Sequence, residues 1–110
     1  MGYVIEGTEH ATDEEGFLLE ADFSDAAVRV IAAAEGIALT DAHWEVIRYL
    51  RDEYREHGQT PNFRNLLKAI AASVHPGADS KYLYDLFPAG PARQAVKIAG
   101  LPKPFGKGGY

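Results

Sequence analysis

The sequence predicts a mainly α domain of the α+β class. It expects about five helices behind an N-terminal β-hairpin, a helix-turn-helix-like pair in the middle, and a flexible C-terminal arm. Three observations carry this. Apolar residues recur at helical spacing from residue 24 to 99, interrupted by cap and stop residues rather than by long loops. Residues 3–18 alternate weakly and are punctuated by glycine, as short strands are. From Gly100 onward the chain reads GLPKPFGKGGY, rich in Gly and Pro and without a helical period. With 110 residues, 46% of them hydrophobic, the chain can bury one small core. It is read as one domain over 1–110: hairpin 3–18, helical bundle 24–99, arm 100–110.

YVIEG and GFLL are the expected strands, with DEEG at 13–16 as a turn. Asp13, Glu14 and Glu15 lack the alternating oxygen ligands of a calcium loop, so that turn is read as solvated. Ser24 is a good N-cap for a helix to about Glu35, closed by Gly36, with Ala27, Val30, Ile31 and Ala34 on its apolar side. Thr40 caps the longest helix, which Gly58 stops after His57. Trp44, Ile47, Leu50 and Tyr54 form its stripe, and Trp44 is expected to be largely buried. Thr60 and Pro61 read as a cap and first-turn proline. The helix after them carries Phe63, Leu66, Leu67, Ile70, Ala71 and Val74, and HPG at 75–77 ends it. Asp79 opens a short helix with Leu83, Leu86 and Phe87 inward. Pro91 starts the last, with Ala92, Ala95, Val96 and Ala99 on its apolar side.

Several function classes are excluded or disfavoured. No apolar run approaches the ~18 residues that span a membrane. The opening MGYVIEGTEH has neither the basic nor the apolar region of a signal peptide, so a cytoplasmic protein is expected. The chain has no cysteine, which removes disulfides, thiolate nucleophiles and Cys-ligated metals. None of His10, His43, His57 and His75 stands in a metal-binding spacing, and no metal or cofactor is expected. There is no GxSxG elbow, and GKGG at 106–109 lacks the strand, helix and Ser/Thr of a phosphate loop. Nothing argues for an enzyme.

Charge is distributed unevenly. The net charge is −5, yet residues 88–110 carry Arg93, Lys97, Lys103 and Lys107 and no acid. Such a split marks either an interaction tail or simple solubilisation. Arg48, Arg51, Arg55 and Arg64 lie on the helix pair joined by GQTP, which suggests a DNA-binding helix-turn-helix. Interleaved Asp52, Glu53 and Glu56 and an acidic domain weigh against it, because phosphate neutralisation supplies most DNA affinity.

The strings LTDAHWEVIRYLRDEYREHG, TPNFRNLLKAI, SKYLYDLFPAGPARQA and IAGLPKP together resemble the DsrC/TusE family, over nearly the whole chain. That family includes the gamma subunit of dissimilatory sulfite reductase and a sulfur-relay protein of tRNA thiolation. The resemblance implies a compact helical domain whose C-terminal arm carries a near-terminal cysteine, loaded with sulfur as a persulfide. One branch has a second cysteine eleven residues earlier. In this register those positions are Lys107 and Val96, and Ala89 stands where the family commonly has Tyr. A persulfide needs a nucleophilic sulfur, which neither position offers.

The resemblance therefore implies a protein of sulfur metabolism that cannot carry sulfur and keeps recognition only. Its expected partners are a sulfite reductase, a sulfurtransferase or a heterodisulfide-reductase-like complex. The expected contact residues are Arg93, Lys97, Leu101, Pro102, Lys103, Pro104 and Lys107, with the lysines meeting anionic groups. A DNA-binding regulator and a diverged paralogue with an unrelated partner are the alternatives.

Overall fold

Five α-helices follow a two-stranded antiparallel hairpin in the computed structural model, which describes residues 2–103. The elements are β1 (Gly2–Ile5), β2 (Thr8–Ala11), α1 (Asp25–Ala34), α2 (Asp41–His57), α3 (Phe63–Ala69), α4 (Ser80–Leu86) and α5 (Pro91–Ile98). This is the mainly α arrangement with a small β element that the sequence predicts.

Side-chain caps set most helix starts by satisfying amides that have no partner inside the helix. Ser24 accepts from the Ala27 N–H at 3.1 Å, and Asp79 accepts from the Tyr82 N–H at 2.9 Å. Ahead of α2, the Thr40 N–H donates to His43 Nδ1 at 3.1 Å, while His43 Nε2 lies 2.8 Å from the Leu86 carbonyl. One tautomer of a neutral imidazole, protonated at Nε2, satisfies both contacts and ties the start of α2 to the end of α4.

Four expectations are corrected. The second strand is Thr8–Ala11 rather than GFLL, paired Val4 to Glu9 and Ile5 to Thr8. The turn is Glu6-Gly7, with φ of 51° and 83°, the doubly positive geometry that matches strand twist. GFLL contributes one bridge, Thr12 to Leu18, and buries Phe17 and Leu18. The cap of α3 is Asn62, accepting from the Asn65 N–H at 3.0 Å, rather than Thr60, which is buried. Beyond Ala69 the chain continues as a π-helical turn, Ile70–Val74. The helix faces are also rotated. On α1 the buried residues are Ala27, Val28, Ile31 and Ala32, with Ala34 exposed; on α2 they are His43, Val46, Ile47, Leu50 and Arg51. Trp44 is half-buried, at the edge of that stripe, with the Arg29 guanidinium 5.7 Å over its ring.

The core forms around α5, which contacts each of the other four helices. Its Pro91, Ala92, Gln94, Ala95, Val96 and Ile98 are all buried. Only Arg93 and Lys97, one turn apart, look outward. Placing a short, small-residue helix in the centre lets four neighbours approach it closely. It also fixes where the chain leaves the domain.

Candidate functional site

The site is the point where the chain leaves α5. The helix ends in two overlapping bonds: the Leu101 N–H donates to the Val96 carbonyl at 3.3 Å and the Gly100 N–H to the Lys97 carbonyl at 3.1 Å. With Gly100 at φ 82°, this is the Schellman ending, in which the left-handed residue is usually glycine. A second constraint also requires glycine here. A Cβ on Gly100 would stand 2.3 Å from the Asp22 carbonyl oxygen, and the Asp22 N–H donates to the Gly100 carbonyl at 2.8 Å. The exit is thus stitched backbone to backbone onto the segment before α1.

Arg51, on the buried face of α2, locks the same point. Its Nε donates to the Ala99 carbonyl at 3.2 Å, Nη2 to the Ser24 carbonyl at 2.7 Å, and Nη1 to Asp25 at 3.2 Å. One planar guanidinium holds the end of α5 against the start of α1. A cation at a helix C-terminus is also favoured by the macrodipole.

Two carboxylates organise the outer face. Glu35 accepts from Gln94 Nε2 at 3.1 Å and from Lys97 Nζ at 3.5 Å. Glu15, from the DEEG turn, pairs with both Arg93 and Lys103. The Phe17 ring lies beneath Arg93 and Lys97, 5.9 and 5.3 Å from its centroid. A shallow cleft of about 220 Å³ opens here, lined by Phe17, Glu35, Ala89, Arg93, Gln94 and Lys97.

Two groups nearby titrate away from their ordinary values. Burial pushes the Tyr3 hydroxyl up, reinforced by the charges of Glu35 and Asp13; that hydroxyl donates to the Gly16 carbonyl at 2.9 Å. Burial also acts to raise Asp22, but hydrogen bonds from Ser24 and the charges of His10 and Arg51 outweigh it and leave the carboxyl lowered.

The structure brings together Arg93, Lys97 and Lys103 from the expected contact set. Leu101, placed by the sequence in the outward arm, is instead fully buried, and Pro102 is half-buried. The outward-facing chain therefore begins later than residue 100. Val96 is buried on α5. Pro104 and Lys107 lie outside the described residues. Sequence reasoning gave Glu35 no role beyond a helix end, read Glu15 only as part of a solvated turn, and placed Arg51 on a DNA-binding face. Arg51 had a signal, since it falls on the helical stripe of Ile47 and Leu50. Glu15 had none, because its Lys103 partner is 88 residues away.

Of the four arginines considered for DNA contact, one is buried in the fold and another is paired on the surface. Arg51 is buried, and Arg55 faces Asp52 at 3.6 Å and covers Phe23. Among the described residues, one trio, Glu53, Glu56 and His57, brings potential metal ligands within 4.8 Å of one another, largely exposed at the end of α2. No described helix is long and apolar enough to cross a membrane.

Comparison with known proteins places this arrangement. The family model described as "DsrC like protein" matches residues 4–106. The chain is 50% identical to sulfurtransferase TusE of Pectobacterium atrosepticum over 102 residues, covering 91% of this chain and 94% of the relative. It is 52% identical to the sulfurtransferase TusE homolog of Haemophilus influenzae over 104 residues, covering 91% and 94%. The solution structure of Allochromatium vinosum DsrC superposes with a TM-score of 0.86 at 42% identity, covering 94% of this chain and 95% of that one. The crystal structure of the oxidized gamma subunit of dissimilatory sulfite reductase from Archaeoglobus fulgidus gives 0.84 at 36%, covering 96% and 99%.

Proposed function

This chain belongs to the family of DsrC-like proteins, and from that premise we propose that it is a non-catalytic binding protein of sulfur metabolism. It docks where its cysteine-bearing relatives dock and does not itself carry sulfur. The observation that supports this is a pairing of opposites. The exit from α5 keeps a close-fitting geometry at Gly100, Leu101 and Arg51, while the 110 residues contain no thiol. Those buried contacts fix the exit in place, and the exposed Arg93 and Lys103 beside it are what remains to meet a partner. The partners are proteins that handle sulfur in the relatives' systems: a sulfurtransferase of the TusE relay, or a sulfite reductase. Binding there would make the chain a competitor or regulator of the carriers.

The test is competition. A TusE-type carrier is loaded from its own sulfur donor and persulfide is followed by intact-protein mass spectrometry. Adding this chain in excess is expected to slow loading several-fold, with no sulfur appearing on the chain. Loading that proceeds at an unchanged rate under saturating excess overturns the reading.

A further inference from the structure

We propose that Glu15 is an internal stand-in for a partner's carboxylate: it fills a cationic cradle made by Arg93 and Lys103, from which an acidic segment of a docking protein displaces it. This rests on the docking reading above and specifies the chemistry of what docks.

Among the described residues, Glu15 is the one carboxylate on which both cations meet, one from the central helix and one from the segment that follows it. The turn that carries it is closed by its own hydrogen bonds. Asp13 Oδ1 accepts from the Glu15 N–H at 2.9 Å and from the Phe17 N–H at 3.0 Å, closing the turn independently of Arg93 and Lys103. The Glu15 backbone is thus held whether or not its carboxylate meets the cations, so the carboxylate can leave without opening the turn.

The two acids of the site differ in depth. Lys97 and Glu35 have side chains 17% and 21% exposed, and Gln94, itself buried, donates to the same carboxylate. That pair belongs to the fold. Arg93, Glu15 and Lys103 are 42%, 40% and 50% exposed. Pairs this open are weak and screened by salt, so one carboxylate exchanges for another with little net change. When Glu15 leaves, Arg93 stays aimed, because its guanidinium lies over the Phe17 ring. Arg93 then offers a planar fork to the incoming acid, and Lys103 a second, point-like charge. The adjoining cleft leaves room for the acid's own stem. An acidic segment is therefore favoured over an apolar or basic one.

The test uses the full chain and two independent readouts. Backbone ¹⁵N relaxation at Lys103 reports the internal contact, and anisotropy of a dye-labelled hexaglutamate peptide reports the cradle. Glu15→Gln is expected to increase fast motion at Lys103 and to tighten peptide binding about fivefold. Glu14→Gln, with the same charge change one residue away, is expected to leave motion at Lys103 unaltered and to change binding less than twofold. Arg93→Gln is expected to abolish the gain when added to Glu15→Gln. Equal effects of Glu15→Gln and Glu14→Gln would reduce the cradle to general charge and overturn the proposal. So would unchanged relaxation at Lys103 in Glu15→Gln. Neither readout involves a sulfur donor, so failure of the docking reading in the competition experiment is separable from failure here.

Discussion

At the scale of the residue, Gly100 carries two demands that can be separated by experiment. A left-handed φ costs a non-glycine residue about 1–3 kcal/mol. Gly36 has the same kind of φ, 72°, with nothing within 4 Å of a built Cβ, whereas at Gly100 that atom would meet the Asp22 carbonyl. Gly36→Ala is therefore expected to lower stability by about 1 kcal/mol, and Gly100→Ala by at least twice that, read from urea unfolding midpoints. Equal costs would mean that the segment after α5 yields freely. Arg51 makes a parallel case. Hydrogen bonds from a charged donor contribute about 1.5–3 kcal/mol each. An ammonium cannot reproduce a fork reaching Ala99, Ser24 and Asp25, so Arg51→Lys is expected to cost at least about 2 kcal/mol in the same assay. Asp22 contributes to the acid limb. Its carboxyl is held below the ordinary 3.8 in the folded state, so the stabilisation is complete above that value and is lost as pH falls through the folded pKa. Asp22→Asn is expected to flatten the decline in stability below about pH 4, measured by denaturation across pH. An identical acid limb would show that other carboxylates govern it.

At the scale of the element, legibility follows the range of the interactions that set each boundary. Ser24, Asp79, Pro91, Gly36 and Gly58 act within a turn of their own position, and the helix ends they mark stand where the sequence places them. The hairpin departs from the expected one because its turn is Glu6-Gly7. A non-glycine residue at positive φ is uncommon outside Asn and Asp, and DEEG is the stronger local turn signal. Thr60 and Asn62 are both capping types two residues apart, and only packing decides between them. The π turn at Ile70–Val74 leaves no mark in the apolar period at all. On α2 the true stripe contains His43 and Arg51, polar residues that a hydrophobicity pattern discards, so the face was drawn through Trp44 instead. The consequence is measurable. Ile47, fully buried, is expected to cost about 2–5 kcal/mol on substitution by alanine, whereas half-buried Trp44 should lose less than the about 3–5 kcal/mol of a core aromatic. A Trp44→Ala cost reaching the about 3–5 kcal/mol of a core aromatic would place the indole in the core.

At the scale of the whole molecule, composition announced the charge split and the missing thiol but not how the charges are spent. The basic residues expected to face a partner meet Glu15 and Glu35 from the N-terminal third, contacts between segments far apart in the chain that no local pattern encodes. The absence of cysteine makes a prediction about reactivity. With no cysteine, exposure to polysulfide or a loaded sulfurtransferase should leave the intact mass free of reducible ~32 Da increments. The more searching form of that prediction restores the nucleophile. If recognition is retained and only the sulfur is absent, Lys107→Cys should accept persulfide from a sulfurtransferase that serves the TusE-type relatives. Adding Val96→Cys asks more of the structure. A disulfide requires the two Cα atoms to approach within about 7 Å, and the side chain at 96 is buried on the central helix beside a closed Schellman ending. Bond formation in the double variant should therefore be slow, and Arg51→Lys, by loosening the end of α5, should speed it. Free-thiol counts against time after mild oxidation measure both rates. If Lys107→Cys is alkylated readily yet takes sulfur from no such donor, the docking surface has diverged together with the chemistry, and an unrelated partner becomes the better reading of this chain.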